Sequence, residues 1–331
     1  MPVATETDRP PRRRPTTNPW VVLGVTSLSV FAVFLDTTIL FVAFPDLVRS
    51  FPDVSRSSLS WVLNAYTIVF AAALVPAGRL ADRVGRRRCF LAAVAVFTVA
   101  SMLCGIAPDP AVLVAARTLQ ALGAAMMIPA SLALVLQTFP RARVPVAVGV
   151  WGAVGAVAGA VGPSLGALIV DSAGWRWAFY LNLPVGLVAL VLGLRVLPEG
   201  REEDPGRVPD PLGALVLVAG MALLALGLVQ ADAWGFTSAR TLGAVGGGIA
   251  VLGLFAWRCT RVAAPVFDLS LLESRNYRWA NVATAVFYVG FTAMFFANVQ
   301  FLVSVWHYSV LRAGLALTPG PLVVAALAPF M

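Results

Sequence analysis

Three polar side chains interrupt long apolar segments of this chain, and they are the residues that could do chemistry. Asp36 stands in Phe34-Leu35-Asp36-Thr37-Thr38-Ile39, inside the first apolar run. A carboxylate in a bilayer interior costs about 2.5–3.5 kcal/mol on insertion scales, so it must face a cavity or a partner. Such a group suits the uptake and release of a proton. The alternative is a structural Asp near the helix end, capped by Thr37 or Thr38. Arg117 stands early in the fourth run, and Gln120 lies one helical turn on, facing the same way. Arginine is always charged. In that place it can hold a carboxylate or a proton relay, or it can snorkel to the outer interface.

Two further stretches carry a pattern. Gly78-Arg79-Leu80-Ala81-Asp82-Arg83-Val84-Gly85-Arg86-Arg87-Arg88 is a short, strongly basic loop between two apolar runs. Gly78 and Gly85 permit close approach or a tight turn. Asp82 can pair with Arg83, Arg86 or the end of a neighbouring helix, a charge clasp that would hold one conformation and break in another. The alternative is a solvated basic loop. The fifth run holds Gly149, Gly152, Gly155, Gly159, Gly162, Pro163 and Gly166. Small residues at these spacings admit a close neighbouring helix, and Pro163 permits a kink. The run is either a pliable seam between bundles or plain tight packing. It is no phosphate loop, because no strand precedes it and the run is apolar.

These residues must be positioned by membrane helices. The chain is 59% hydrophobic and 12% charged, whereas soluble domains are about 45–50% apolar and about 25% charged. Apolar runs of spanning length recur throughout, which predicts an all-α polytopic membrane protein. All 24 basic residues are arginine. Without lysine there is no P-loop and no Schiff base. His307 is the single histidine, and Cys89, Cys104 and Cys259 have no metal-like spacing, so no metal site is expected. No nucleophile–base–orienter set points to an enzyme. The net charge of +8 reads as positive-inside topology and not as nucleic-acid binding.

The runs divide the chain into a cytoplasmic tail over 1–18 and six spans over 19–197. A cytoplasmic linker follows over 198–210, then two more spans over 211–258. The remainder, 259–331, begins with an interfacial segment carrying Leu269, Leu271 and Leu272 and continues into two further spans. The spans start near Trp20, Leu59, Cys89, Val112, Val146, Phe179, Leu212, Thr241, Trp279 and Leu311. With the N-terminus inside, eighteen arginines fall on the inner side and five on the outer, and Arg117 lies within a span. That asymmetry predicts a cytoplasmic N-terminus.

Together these features resemble the major facilitator superfamily. Gly78 through Arg87 resembles its loop motif GxLaDrxGrkxxl. Arg117 with Gln120 and Gly123 resembles the fourth-span motif RxxQGxg, with Ala121 in place of the first glycine. Gly162-Pro163-Ser164-Leu165-Gly166 resembles the end of the antiporter motif gxxxGPxxGG, with Ala167 for its last glycine. Leu35-Asp36-Thr37-Thr38-Ile39 through Pro45 resembles the first-span motif LDxTIvNvALP of the fourteen-helix drug:proton antiporters, with Phe41 in place of its Asn. Trp175-Arg176-Trp177-Ala178-Phe179-Tyr180-Leu181-Asn182-Leu183-Pro184 is similar to that branch as well.

The resemblance implies two six-helix bundles with substrate between them near the midplane. The two extra spans would be inserted between the bundles, and the second bundle would be incomplete, as in a C-terminally truncated member. It implies proton-coupled efflux of lipophilic, often cationic, drugs or natural products across a bacterial cytoplasmic membrane. The energy source would be the proton gradient, with no bound cofactor. Asp36, Arg117 and Gln120 would serve coupling and substrate. Gly78, Asp82, Arg83, Gly85 and Arg86 would form the conformational clasp. Gly155, Gly159, Gly162, Pro163 and Gly166 would form the antiporter helix. Transport of another small solute, and a non-transporting membrane fragment or binding partner, are the competing expectations.

Overall fold

A computed structural model describes residues 18–199, 210–308, 310–317, 319–320 and 323. The N-terminal tail and most of the expected cytoplasmic linker lie outside the described residues. The long helices are α1 (Pro19–Ser50), α2 (Trp61–Val84), α3 (Arg86–Gly105), α4 (Pro110–Thr138), α5 (Val144–Ala173) and α6 (Asn182–Val196). They continue with α7 (Pro211–Val229), α8 (Ala239–Cys259), α9 (Arg275–Ser304) and α10 (Val310–Leu317). Among the described residues eight segments are long and apolar enough to cross a membrane, and there is no strand. Helices satisfy every backbone group internally, which is why a chain this apolar folds this way in lipid.

The ends of the helices are written locally. Asn18 accepts from the Trp20 N–H at the start of α1, and Asp109 accepts from the Val112 N–H at the start of α4. Prolines occupy the first turns of α1, α4, α5 and α7, where the missing N–H has no helical partner to lose. The basic stretch between α2 and α3 corrects the expectation of a loop. Residues Gly78 to Val84 continue α2, and the chain breaks only at Gly85, with φ at +120°. That backbone conformation favours glycine, and the flanking residues are compatible with helix. The segment expected to be interfacial precedes α9. It is a five-residue 3-10 turn, Leu269–Glu273, with Leu271 and Leu272 exposed.

Helices α1 and α4 lie at the centre. α1 packs against α4, α5 and α6, while α4 packs against α2 and α3. A lipid-embedded bundle has little hydrophobic drive between helices, so close packing of small residues must hold it. Gly123 of α4 shows this: a Cβ there would lie 2.7 Å from the Phe97 backbone nitrogen of α3. Beside a small cluster of Leu23, Val135, Phe139 and Ala147, the core forms two apolar layers. One gathers Val25, Val33, Phe90, Phe97, Ala124 and Met127. The other gathers Leu35, Ile39, Leu47, Val62, Leu113 and Phe179. The polar site sits where these layers meet.

α7 and α8 pack on each other, and α7 leans on α2. Arg258 closes this hairpin with two hydrogen bonds to Asp210, at 2.5 and 2.9 Å. The Arg79 guanidinium donates to the Pro265 carbonyl at 2.7 Å, tying the C-terminal end of α2 to the segment after α8. The hydrogen bond from Arg258 holds the Asp210 carboxyl below the usual carboxylate range. A depressed folded pKa contributes stability above the unfolded value, about 3.9, and loses it as pH falls through the folded value. Amide protection at the start of α7, corrected for intrinsic exchange, should therefore be flat from pH 8 to 5 and fall below about pH 4. Asp210→Asn should lower that protection and remove its pH dependence.

Candidate functional site

The three residues that interrupt the apolar runs meet in one place. Asp36 of α1 and Arg117 of α4 form an ion pair at 2.6 Å between Oδ2 and a terminal guanidinium nitrogen. Arg117 is 1% exposed and Asp36 3%, so Arg117 does not snorkel to the interface. The same guanidinium nitrogen donates to Gln120 Oε1 at 2.7 Å, and Arg117 Nε donates to the Val62 carbonyl of α2 at 3.2 Å. The guanidinium carbon lies 4.0 Å from the centre of the Tyr66 ring and 5.7 Å from that of Phe179. Both are cation–π distances. Thr37 and Thr38 do not cap Asp36; their hydroxyls donate to backbone carbonyls of α1.

The other carboxylate oxygen carries a second set of contacts. Asp36 Oδ1 accepts from Gln120 Nε2 at 2.9 Å and from Asn182 Nδ2 at 2.8 Å. Both amides also donate to Ser101 Oγ of α3, at 2.6 and 3.2 Å. The Cys104 thiol donates to Gln120 Oε1 at 3.7 Å. Tyr66, Ser101, Cys104 and Asn182 are thus site residues that sequence reasoning missed. Asn182 stood in the Trp175–Pro184 stretch without a role. A polar residue at the start of an apolar run was its only signal.

Asn182 is positioned by contacts at the C-terminal end of α1 and just beyond α3. The Trp175 backbone N–H donates to Asp46 Oδ2 at 3.0 Å, and the Trp175 indole donates to Ser50 Oγ at 3.0 Å. Arg176 donates to the Ala107 carbonyl. These bonds join α1, α3 and the short helix Arg176–Tyr180 that leads into α6. Phe41 is 61% exposed and takes no part in the site.

Of the residues expected to form a clasp, Asp82 and Arg86 meet at the opposite end of the bundle. Arg86 Nε donates to Asp82 Oδ1 at 2.9 Å across the Gly85 break, and Arg86 also donates to Gln137 Oε1 of α4 at 3.3 Å. Arg87 donates to the Leu194 carbonyl of α6 at 2.6 Å. Gly78 faces α4, where a Cβ would lie 3.4 Å from Pro129 Cβ.

The glycines of α5 divide into two groups. Gly155, Gly162 and Gly166 face α1: a Cβ at Gly162 would overlap the Thr38 side chain, and one at Gly166 would lie 3.2 Å from Ile39 Cα. Gly159 and Gly152 meet nothing within 4 Å. α5 runs unbroken through Pro163. Gly162→Ala should therefore destabilise the bundle by about 1–3 kcal/mol through overpacking. Gly159→Ala should be neutral or stabilising by up to about 1 kcal/mol through helix propensity. Thermal unfolding of the two variants in one detergent tests the contrast. Nearer the start of α1, an apolar crevice of about 460 Å³ opens between α1 and α5, lined by Trp20, Ser27, Phe31, Val150 and Val154 among others.

The family model described as Major Facilitator Superfamily matches residues 26–331. The chain is 36% identical over 312 residues to the multidrug resistance protein Stp of Mycobacterium tuberculosis, covering 94% of this chain and 58% of that protein. It is 34% identical over 310 residues to the tetracenomycin C resistance and export protein of Streptomyces glaucescens, covering 93% and 57%. It is 34% identical over 315 residues to the multidrug efflux pump LfrA of Mycolicibacterium smegmatis, covering 95% and 62%. The chain thus spans about three-fifths of the length of these relatives. The crystal structure of the human organic anion transporter MFSD10 superposes with a TM-score of 0.56 over 97% of this chain and 72% of that one. At 17% identity that likeness shows the fold alone.

Proposed function

The chain belongs to the major facilitator superfamily, and from that premise we propose that it works in proton-driven export of lipophilic drugs or natural products, cationic ones among them. The observation that carries the proposal is the buried Asp36–Arg117 pair, shared between α1 and α4 and bridged by Gln120. Between them the two central helices touch the other four long helices of the bundle, so a charge change at their contact reaches the whole bundle. Protonation of Asp36 would leave Arg117 as a net positive charge at the meeting of the two apolar layers. That change would favour one facing state, and release of the proton would favour the other. Outward transport is stated in the names of two of the relatives above, the tetracenomycin C export protein and the efflux pump LfrA, and drug resistance in that of Stp. The apolar crevice between α1 and α5 supports a lipophilic substrate.

The Asp36 oxygens are already engaged by Arg117, Gln120 and Asn182. A cationic substrate must therefore displace Arg117 or bind beside it. The arginine asymmetry supports an N-terminus in the cytoplasm and a place in the bacterial inner membrane. In a family of transporters, the absence of a nucleophile–base pair in the sequence supports transport over enzymatic chemistry. Asp82, Arg86 and Gln137 would serve as the clasp that breaks when the inner ends separate.

The test is accumulation of a fluorescent lipophilic cation in cells that express the chain, with and without an uncoupler. Lower accumulation that the uncoupler restores is expected. Accumulation equal to that in empty cells, with the protein shown to be in the membrane, would count against the proposal.

A further inference from the structure

The hydrogen bonds around Asp36 assign one side chain the task of following its protonation. Every group hydrogen-bonded to the carboxylate is a donor: Arg117 at Oδ2, and Gln120 and Asn182 at Oδ1. This arrangement suits the ionised carboxylate alone. A proton on either oxygen would point at another N–H, so the neutral acid has no acceptor until a neighbour turns. Gln120 is not free to turn. Its Oε1 accepts from Arg117 at 2.7 Å and from Cys104, and reversing the amide would set NH₂ against the guanidinium. Asn182 carries no such constraint: its Oδ1 accepts no hydrogen bond among the described residues, while its NH₂ serves Asp36 and Ser101.

We propose that Asn182 is a protonation-linked switch, a positioning residue whose amide donates to ionised Asp36 and turns over to accept from the protonated acid. The two ends of an amide are nearly equal in shape, so the turn costs little space. A proton from water forms the O–H bond at Asp36 Oδ1, and the site gains one positive charge. After the turn, Asn182 Oδ1 faces that O–H and accepts it. Ser101 Oγ, which accepts twice and donates to nothing among the described residues, can then direct its own proton to the same oxygen. A carbonyl oxygen has two lone pairs, so both donors are accepted, while the Asn182 NH₂ gives up its bonds to Asp36 and Ser101 and takes the place its oxygen held. Gln120 and Arg117 keep their mutual bond, and the guanidinium keeps the Val62 carbonyl and the Tyr66 ring. The titratable and charged groups that face Asp36 are Arg117 from α4, Tyr66 from α2 and Cys104 from α3. α5 carries Asp171 only at its outer end, and α6 carries Arg195 at its inner end.

This switch rests on the proposed proton role of Asp36, and one measurement separates the two. The full chain, in lipid and with its asparagine side-chain carbonyls ¹³C-labelled, is titrated with pH under infrared difference spectroscopy. Asp36→Asn identifies the Asp36 carboxylic-acid band. Asn182→Gln removes the label from this site while keeping an amide there; Asn182→Ser does so too should the glutamine variant not fold. The expected result is a labelled carbonyl band that moves to lower wavenumber at the pH where the Asp36 acid band appears, and that is lost in both Asp36→Asn and Asn182→Gln. An Asp36 acid band with no change at the labelled carbonyl would overturn the switch and leave the proton role standing. No Asp36 acid band at any pH would remove the proton role, and the switch with it.

Discussion

Replacing Arg117 with leucine is expected to destabilise the bundle by about 3–5 kcal/mol, the cost of stranding a buried charge by removing its partner. Leucine fits among the apolar neighbours Val62 and Phe179, so shape is not the problem. Asp36, 3% exposed, would keep two amide donors and lose the cation it pairs with. Gln120 Oε1 and the Val62 carbonyl would each lose a donor as well, though the Cys104 thiol still reaches Gln120 and the Val62 carbonyl stays within the helix. Unfolding of the purified chain at fixed pH measures the loss. A double variant, Arg117→Leu with Asp36→Asn, removes both charges and should be less damaged than the sum of the single losses, by about 0.5–3 kcal/mol. Additive losses would show that the two side chains do not sense one another, despite the 2.6 Å contact.

The parts of this site differ in how far the sequence discloses them, and the difference is physical. Asp36 and Arg117 are conspicuous because an ionised group in a membrane span must be compensated, and in this chain each compensates the other. Gln120 follows from helical spacing to Arg117. Asn182, Ser101 and Tyr66 are cheap to place in a helix, since a hydroxyl can bond its own backbone and an amide near a helix end can reach water. Their role appears only when α2, α3 and α6 bring them to α1. The basic stretch misleads for a related reason. Charge density suggests a loop, but Arg, Leu, Ala and Asp all tolerate helix, and only Gly85 adopts a conformation that ends one. In α5, small residues announce close packing without saying which of them touch. Gly155, Gly162 and Gly166 lie on the α1 face, and Gly159 does not. Eight of the ten expected spans coincide with described helices long and apolar enough to cross a membrane, because length and apolarity are set by the bilayer and not by neighbours.

The second large effect concerns coupling more than folding. Asp36→Asn keeps the volume of the side chain and removes its charge, so the proton that the proposed cycle moves has no place to bind. Arg117 is left as an unpaired cation, but not a bare one. Gln120 Oε1 and the Val62 carbonyl still accept from it, and the Tyr66 ring lies 4.0 Å below it. A buried cation–π contact contributes about 2 kcal/mol. The loss of stability should accordingly be smaller than for Arg117→Leu, where the stranded charge keeps only amide donors. Function should show the reverse order of tolerance: the asparagine variant should fold and reach the membrane, yet its export should no longer respond to an uncoupler or to external pH. Asp36→Glu preserves the charge and should retain part of that response, although one added methylene must fit between Arg117 and Asn182. An asparagine variant whose export kept the wild-type uncoupler sensitivity would place the coupling proton elsewhere. The pair with Arg117 would then be a structural joint between α1 and α4, and its value would be read from unfolding alone.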